Sequence, residues 1–284
     1  MIICKKPGEL QDLLEKKKIG QYAIGFVPTM GALHAGHLSL VDAAKKQNKM
    51  VVCSIFVNPT QFNDPGDFQK YPITLEKDIL MFEGAGCDIL FIPSVEDIYP
   101  KGTNNLEHYD LGFLETVLEG KFRPGHFQGV CLVMGRLLKI VLPNNLYIGQ
   151  KDYQQCMVIK RLIELIGLED KIKVNICPTL REDGGLAMSS RNTRLLPGDR
   201  IRATTISKAL RYIKENLKIG DTKKIKDEAK EILLQKGFLI DYVEIANADT
   251  LELIENWNGK EKVVALAAAF LNNVRLIDNM VINT

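Results

Sequence analysis

The chain has 284 residues, 46% of them hydrophobic, and carries 37 basic against 35 acidic side chains for a formal charge of +2. That length supports one large domain or two smaller ones with a substantial core, and a near-balance of charge spread along the chain gives no footprint for bulk nucleic-acid binding. The start has only a very short apolar stretch followed by charge, and the longest apolar run, Val263 to Leu271, is too short to span a bilayer, so secretion and membrane insertion are not expected.

Through the first 180 residues, apolar β-rich runs alternate with helical patterns, the habit of a parallel sheet covered by helices on both faces. YAIGFV (Tyr22 to Val27) predicts the first main strand, Pro28 to Gly31 a turn, and HLSLVDAAKKQN a helix starting near Gly36 with Leu38, Val41 and Ala43 or Ala44 facing inward. MVVCSIFV (Met50 to Val57) returns as the second strand. The polar stretch NPTQFNDPGDFQKYP (Asn58 to Pro72) is a long loop, of a length that marks functional or mobile segments. A helix near Thr74 to Glu83, the strand CDILFIP, and a Gly/Pro-rich passage around EGKFRPGHFQGV follow. VCLVMGRLLKIVL reads as a buried helix, NLYIG as a short strand, YQQCMVIKRLIELIGL as an amphipathic helix closed by Gly167, and KIKVNICPTL as the last strand of this half. After REDGGLAMSSRN the texture changes to charged amphipathic helices (Leu196 to Asp221, Thr222 to Gly237) and two or three strand candidates. The expected architecture is an α/β parallel-sheet domain over residues 1–177 and a smaller α+β domain over 178–284. The six cysteines are scattered singly, without CxxC pairs, and read as buried thiols of a reducing cytoplasm.

Two of the four histidines, His34 and His37, fall where the glycine-bearing loop after the first main strand becomes a helix. Unpaired N–H groups and the partial positive charge of a helix start make this an anion site. Gly31 and Gly36 let a phosphate approach the backbone, and two imidazoles can donate to phosphate oxygens or carry protons as charge builds up. Two surface histidines without a role and a zinc pair across one turn are the competing readings; for zinc, no Glu completes HExxH and no nearby Cys, Asp or His completes a tetrahedral set. YIGQKDYQQ repeats the strand, glycine, helix arrangement at a sheet edge; Lys151 offers a point charge for phosphate, Asp152 an acceptor for a ribose hydroxyl or metal-bound water. In LREDGGLAMSSRN, Ser189, Ser190 and Arg191 can wrap phosphates, although a flexible interdomain hinge explains the glycines equally well. Asn58 and Gln61 offer amides that can hold a hydroxy acid; an Asx turn at Asn-Pro accounts for Asn58 and leaves Gln61 over.

Taken together, PTMGALHAGH, VNPTQF, RPGHFQGV, GQKDYQQ and REDGGLAMSSRN, in this order, resemble the pantoate–β-alanine ligase (pantothenate synthetase) family, and DYVEIAN and VRLIDNMVI extend the resemblance over nearly the whole chain. HxGH alone would indicate only the wider superfamily of nucleotidyltransferases and class I aminoacyl-tRNA synthetases. The resemblance implies ATP-dependent joining of pantoate to β-alanine through a pantoyl adenylate, with AMP and pyrophosphate released. It implies an ATP site at Met30, Gly31, Ala32, Leu33, His34, Ala35, Gly36 and His37, at Gly149, Gln150, Lys151 and Asp152, at Leu180 through its backbone, and at Met188, Ser189, Ser190 and Arg191. His37 matches the proton donor, with His34 beside it on the phosphates and Lys151 as the third catalytic group. Gln61 and Gln155 match the pantoate-binding glutamines, with Asn58 as a helper. The family further implies Mg²⁺ carried with the ATP phosphates and no separate protein metal site, a cytoplasmic homodimer, a Rossmann-like N-terminal domain and a C-terminal lid. Ala35, where Glu is frequent, and the spelling EDGGLA are small departures. Rival readings are a nucleotidyltransferase that leaves AMP on its product, a class I tRNA synthetase, for which no anticodon-reading module is visible, and a non-catalytic nucleotide sensor.

Overall fold

The structure is a computed structural model in which residues 1–18, 22–62, 65–69, 71–103 and 106–282 are described. Residues 63, 64 and 70 of the expected long loop therefore lie outside the described residues. The chain forms two compact units, Met1–Gly149 with Val158–Pro178, and Gln150–Met157 with Thr179–Thr284.

In chain order the first part holds β1 (Ile2–Cys4), α1 (Pro7–Lys18), β2 (Ile24–Thr29), α2 (Ala35–Gln47), β3 (Met50–Ile55), a 3-10 turn at Pro59–Gln61, α3 (Pro65–Gln69) and α4 (Leu75–Gly84). It continues through β4 (Ile89–Phe91), α5 (Val95–Ile98), α6 (Leu118–Phe122), α7 (His126–Val141), β5 (Asn145–Gly149), α8 (Tyr153–Leu165) and β6 (Lys173–Cys177). The six strands make one sheet in the order β1-β4-β3-β2-β5-β6, and every neighbouring pair is parallel. Burial on both faces explains the unbroken apolar run of β3, all of whose residues are buried. From β2 the chain winds through β3 to β4 on one side, while β5 and β6 lie on the other. The strand order thus reverses between β2 and β5, and the carboxyl ends of these two strands flank the switch point where open α/β sheets collect ligands.

The helix after β2 buries Leu40, Val41 and Ala44, with Leu38 and Ala43 partly covered at the edge of the same cluster. The inward stripe therefore centres on Leu40 and not on Leu38. The buried helix expected from Val130 begins four residues earlier, at His126, after Gly125 takes a left-handed φ of 79°. β1 and α1 had no counterpart in the sequence reading. A three-residue edge strand shows too little periodicity to be seen alone.

The second unit is α+β. It contains α9 (Pro197–Ala203), α10 (Thr205–Asn216), β7 (Gly220–Asp221), α11 (Lys223–Leu234), β8 (Phe238–Asn247), β9 (Asn256–Trp257), β10 (Val263–Leu271) and β11 (Val274–Ile282). β11, β10 and β8 form an antiparallel sheet in that order, and β7 pairs with β9. Ala265, Ala267 and Ala269 of VVALAAAFL are buried in the core that this sheet shares with Ile206, Leu210, Ile213, Ala229 and Leu233 of the helices. Small side chains there let helix and sheet approach closely. Gln150–Met157, placed by sequence in the first domain, groups with this unit because Tyr153 donates from its hydroxyl to Ala248 O at 2.7 Å and Asn279 bonds the backbone of Gln150 and Lys151.

All six cysteines are free and buried. Burial pushes the Cys131 thiol up to about 12 and raises that of Cys53 as well, which leaves both inert as nucleophiles at neutral pH. Among the described residues, no helix is long and apolar enough to cross a membrane.

Candidate active site

The loop between β2 and α2 is shaped by two residues with positive φ, Gly31 at 78° and Ala32 at 50°. A Cβ on Gly31 would stand 3.0 Å from Asp78 Oδ2, so glycine is required there for space as well as for φ. Ala32 has no such freedom, and left-handed backbone costs it on the order of 1 kcal/mol. What holds it is Asp78, from α4. This carboxylate, 1% exposed, accepts from Ala32 N and Leu33 N at 2.8 Å each and from Thr74 Oγ1 at 3.1 Å. Thr29 Oγ1 ties the other end, donating to Ser54 O at 2.7 Å and accepting from Gly31 N at 3.2 Å.

So constrained, the chain enters α2 with His34 as N-cap and His37 at the third helical position. The His34 N–H donates to His37 Nδ1 at 3.3 Å, and the rings stack with centroids 4.0 Å apart. A ring nitrogen that accepts carries no proton, so in the neutral imidazole the proton sits on Nε2 and that edge is a donor. The first turn of α2 has no acidic residue, and Ala35 stands exposed within it. The first turn therefore sets no carboxylate of its own against the positive end of the helix dipole.

The expected long loop opens with the 3-10 turn at Pro59–Gln61, capped by Asn58. Asn58 is fully buried and its amide is committed. Its Nδ2 donates to Gly129 O at 3.0 Å and Gln61 Oε1 at 3.3 Å, and its Oδ1 accepts from Tyr99 OH at 2.8 Å and from Thr60. Gln61 Nε2 in turn reaches Met30 Sδ at 2.8 Å, which joins this loop to the histidine loop. Two residues of RPGHFQGV fasten it from α7: His126 Nδ1 contacts Gln61 O at 2.8 Å, and Gly129 lies so close that a Cβ there would be 2.1 Å from Thr60 O.

In the second unit, Gln150–Asp152 forms a 3-10 turn in which Lys151 Nζ lies 3.4 Å from Asp152 Oδ1, with Lys151 mostly buried and Asp152 half exposed. Gln155 lies partly exposed in the first turn of α8. LREDGGLAMSSRN is an ordered hairpin and not a hinge: Arg181 bridges Ala187, Met188 N donates to Leu180 O at 3.0 Å, and Gly185, at φ 90°, makes the turn. Ser189 then caps the 3-10 turn Ser190–Arg194, accepting from Arg191 N at 3.3 Å. Buried Asn192 anchors that turn, donating to Glu182 Oε1 at 2.8 Å and Ala187 O at 3.0 Å.

Asp78, His126, Gly129 and Asn192 were not among the residues singled out from sequence. His126 and Gly129 lie inside RPGHFQGV, whose residue types alone indicate no chemistry. Asp78 offered no signal beyond an acid in the first turn of a helix. Replacing Asp78 by Asn leaves one acceptor oxygen where two are used and turns a donor towards backbone N–H groups. We expect a loss of about 1–3 kcal/mol, read as a lower urea midpoint at unchanged m-value.

A six-stranded parallel sheet with a histidine-bearing loop opening a helix at its switch point defines a doubly wound α/β protein. The family model described as pantoate-beta-alanine ligase matches residues 2–281. Pantothenate synthetase of Cytophaga hutchinsonii is 46% identical over 286 residues, covering 99% of each chain, and that of Acetivibrio thermocellus is 44% identical over 285 residues, again covering 99% of each. Among solved structures, pantothenate synthetase from Thermus thermophilus superposes with a TM-score of 0.89 at 38% identity, covering 99% of both chains. Pantoate-beta-alanine ligase from Francisella tularensis, complexed with beta-gamma ATP and beta-alanine, gives 0.81 at 39% identity, covering 99% of this chain and 97% of that one. The chain belongs to the pantoate–β-alanine ligase family and is an enzyme of that ligase class.

Proposed function

We propose that the enzyme condenses pantoate with β-alanine to pantothenate at the expense of ATP, through a pantoyl adenylate. The observation that carries this reading is the His34–His37 cap at the start of α2: it leaves His37 a donor at Nε2 beside a helix terminus suited to phosphate. The Francisella relative, bound to beta-gamma ATP and beta-alanine, supports it. A pantoate carboxylate oxygen bonds to the α-phosphorus while the bond to the β-phosphate bridging oxygen breaks, and pyrophosphate leaves. The β-alanine amine then bonds to the acyl carbon, loses a proton, and expels AMP. Neither step uses an enzyme nucleophile.

Negative charge grows on phosphoryl oxygens and on the departing pyrophosphate. His37 donates a proton or hydrogen bond there, with His34 and the helix N–H groups beside it, and Lys151, Ser189, Ser190 and Arg191 supply further donors to the ATP phosphates. Gly149 to Asp152, Met188 and the Leu180 backbone complete the nucleotide contacts. Mg²⁺ carried with ATP would offset the charge of the phosphate oxygens, with the Asp152 carboxylate of the Lys151 turn placed as an acceptor for a metal-bound water or a ribose hydroxyl. Gln61 and Gln155 hold pantoate. Asn58, its amide spent within the fold, serves by fixing Gln61. A cytoplasmic homodimer goes with this reading, and light scattering should give twice the chain mass.

The purified chain should exchange labelled pyrophosphate into ATP only when pantoate is present, and should release AMP only when β-alanine is added. Exchange without pantoate, or AMP retained on the product, would sink the ligase reading in favour of a nucleotidyltransferase.

A further inference from the structure

The stretch VRLIDNMVI has no part in the chemistry above, yet it buries two adjacent polar side chains on β11. Asp278 and Asn279 are each 2% exposed. Asn279 Nδ2 donates to the carbonyls of both Gln150 and Lys151 at 2.8 Å, and Gln150 Nε2 donates back to Asn279 Oδ1 at 3.1 Å. One amide thereby pins the short turn that bears Lys151. Asp278 faces the other way. Arg181 donates to both of its oxygens, at 2.6 and 3.0 Å, and also to Gly185 O at 3.0 Å and Asn279 O at 3.2 Å. Arg181 opens the hairpin whose return strand delivers Met188 to Arg191.

Two neighbouring residues of one strand therefore hold two segments, Asn279 through the backbone of Gln150 and Lys151 and Asp278 through the side chain of Arg181, which in turn holds Gly185 O. Lys151 and Arg181 are 30 residues apart in sequence, and the turn of the one and the hairpin of the other carry residues assigned to ATP. Fold stability alone does not call for them. A buried ion pair roughly breaks even against apolar side chains of similar size, and burying polar groups costs free energy unless every partner is in place. Burial indeed raises the Asp278 carboxyl, against the opposing pull of Arg181. What the arrangement supplies is geometry, because hydrogen bonds to two successive carbonyls and a two-pronged guanidinium fix direction as well as distance.

We propose that Asp278 and Asn279 are positioning residues for ATP, setting the register of the Lys151 turn against that of the Ser189–Arg191 loop. The proposal rests on the assignment of those two segments to ATP, given above.

The test is ATP binding by titration calorimetry to the full chain and to two variants, Asn279→Ala and the isosteric Asn279→Asp, which presents lone pairs to the two carbonyls. We expect the ATP dissociation constant to rise roughly tenfold or more in each, the loss of one to two buried hydrogen bonds, while the KM for β-alanine stays within twofold. If the alanine variant fails to fold, the isosteric one decides. ATP binding within twofold of wild type in a folded variant overturns the proposal, as does a β-alanine KM that rises in step with the ATP constant, since a merely structural role predicts one of those patterns. A wild-type chain that binds ATP but shows no pantoate-dependent exchange would refute the ligase reading and leave the positioning role to be judged on ATP binding alone.

Discussion

Replacing His37 by alanine is expected to lower turnover by about 10²–10³-fold, the scale for removing one donor aimed at a transition state. The side chain is only partly buried and lies outside the core formed by Leu40, Val41 and Ala44, so the fold should survive. What alanine also removes is the acceptor for the His34 N–H, a capping contact worth about 1 kcal/mol. The two losses can be separated with His37→Gln, since glutamine at the third helical position is itself a capping residue. That variant should regain the thermal stability of the wild type and only part of its rate. A fully active His37→Ala enzyme in steady-state assays would remove His37 from the mechanism.

Gly129→Ala should be the most damaging conservative change in the first unit. Its Cβ would lie 2.1 Å from Thr60 O, 2.4 Å from Thr60 C and 2.5 Å from Gln61 Cα, all backbone atoms that no rotamer change can clear. α7 is buried along most of its length, so the loop must give way. Its displacement strains the Asn58 Nδ2 to Gly129 O bond and the His126 contact with Gln61 O, the two fastenings that aim Gln61. Overpacking of this kind costs about 1–3 kcal/mol, seen as a lower melting temperature. A shift of about 1 Å in a substrate-positioning group can cost about 10²-fold, so kcat/KM for pantoate should fall on that scale while ATP binding changes little. Wild-type kcat/KM for pantoate in this variant would show that the Thr60–Gln61 backbone does not orient the substrate.

Much of the molecule is legible in its sequence. Alternation of apolar strands with amphipathic helices yielded the parallel sheet, because burial on both faces leaves a continuous apolar signature that loops cannot imitate. The change after Asn192 to charged amphipathic helices is a different signature, that of helices with one face on a core, and it falls inside the second unit, which begins at Thr179 and also takes in Gln150–Met157. The reading of GALHAGH as an anion site draws on local chemistry, since a helix start, glycine and two imidazoles three residues apart bring their donors within eight residues of chain. The hinge reading of EDGGLA was open from sequence for a matching reason. Two glycines permit a flexible linker and a tight hairpin turn alike, and only the pairing of Arg181 with Ala187 selects the turn.

The residue types, their spacing and the helix-start chemistry of His34 and His37 thus come from the sequence by itself, as does the family they signal. Tertiary structure decided what orients them. Asp78 reaches Ala32 and Leu33 across more than 40 residues, Gly129 meets Thr60 across nearly 70, and Asn279 meets Lys151 across 128. Each is a buried polar or close-contact partner whose identity is set by a backbone N–H, carbonyl or void that exists only once the strands have paired. Local periodicity carries no trace of such contacts, since an aspartate in a helix turn or a glycine in an apolar helix looks the same whether or not a distant loop depends on it.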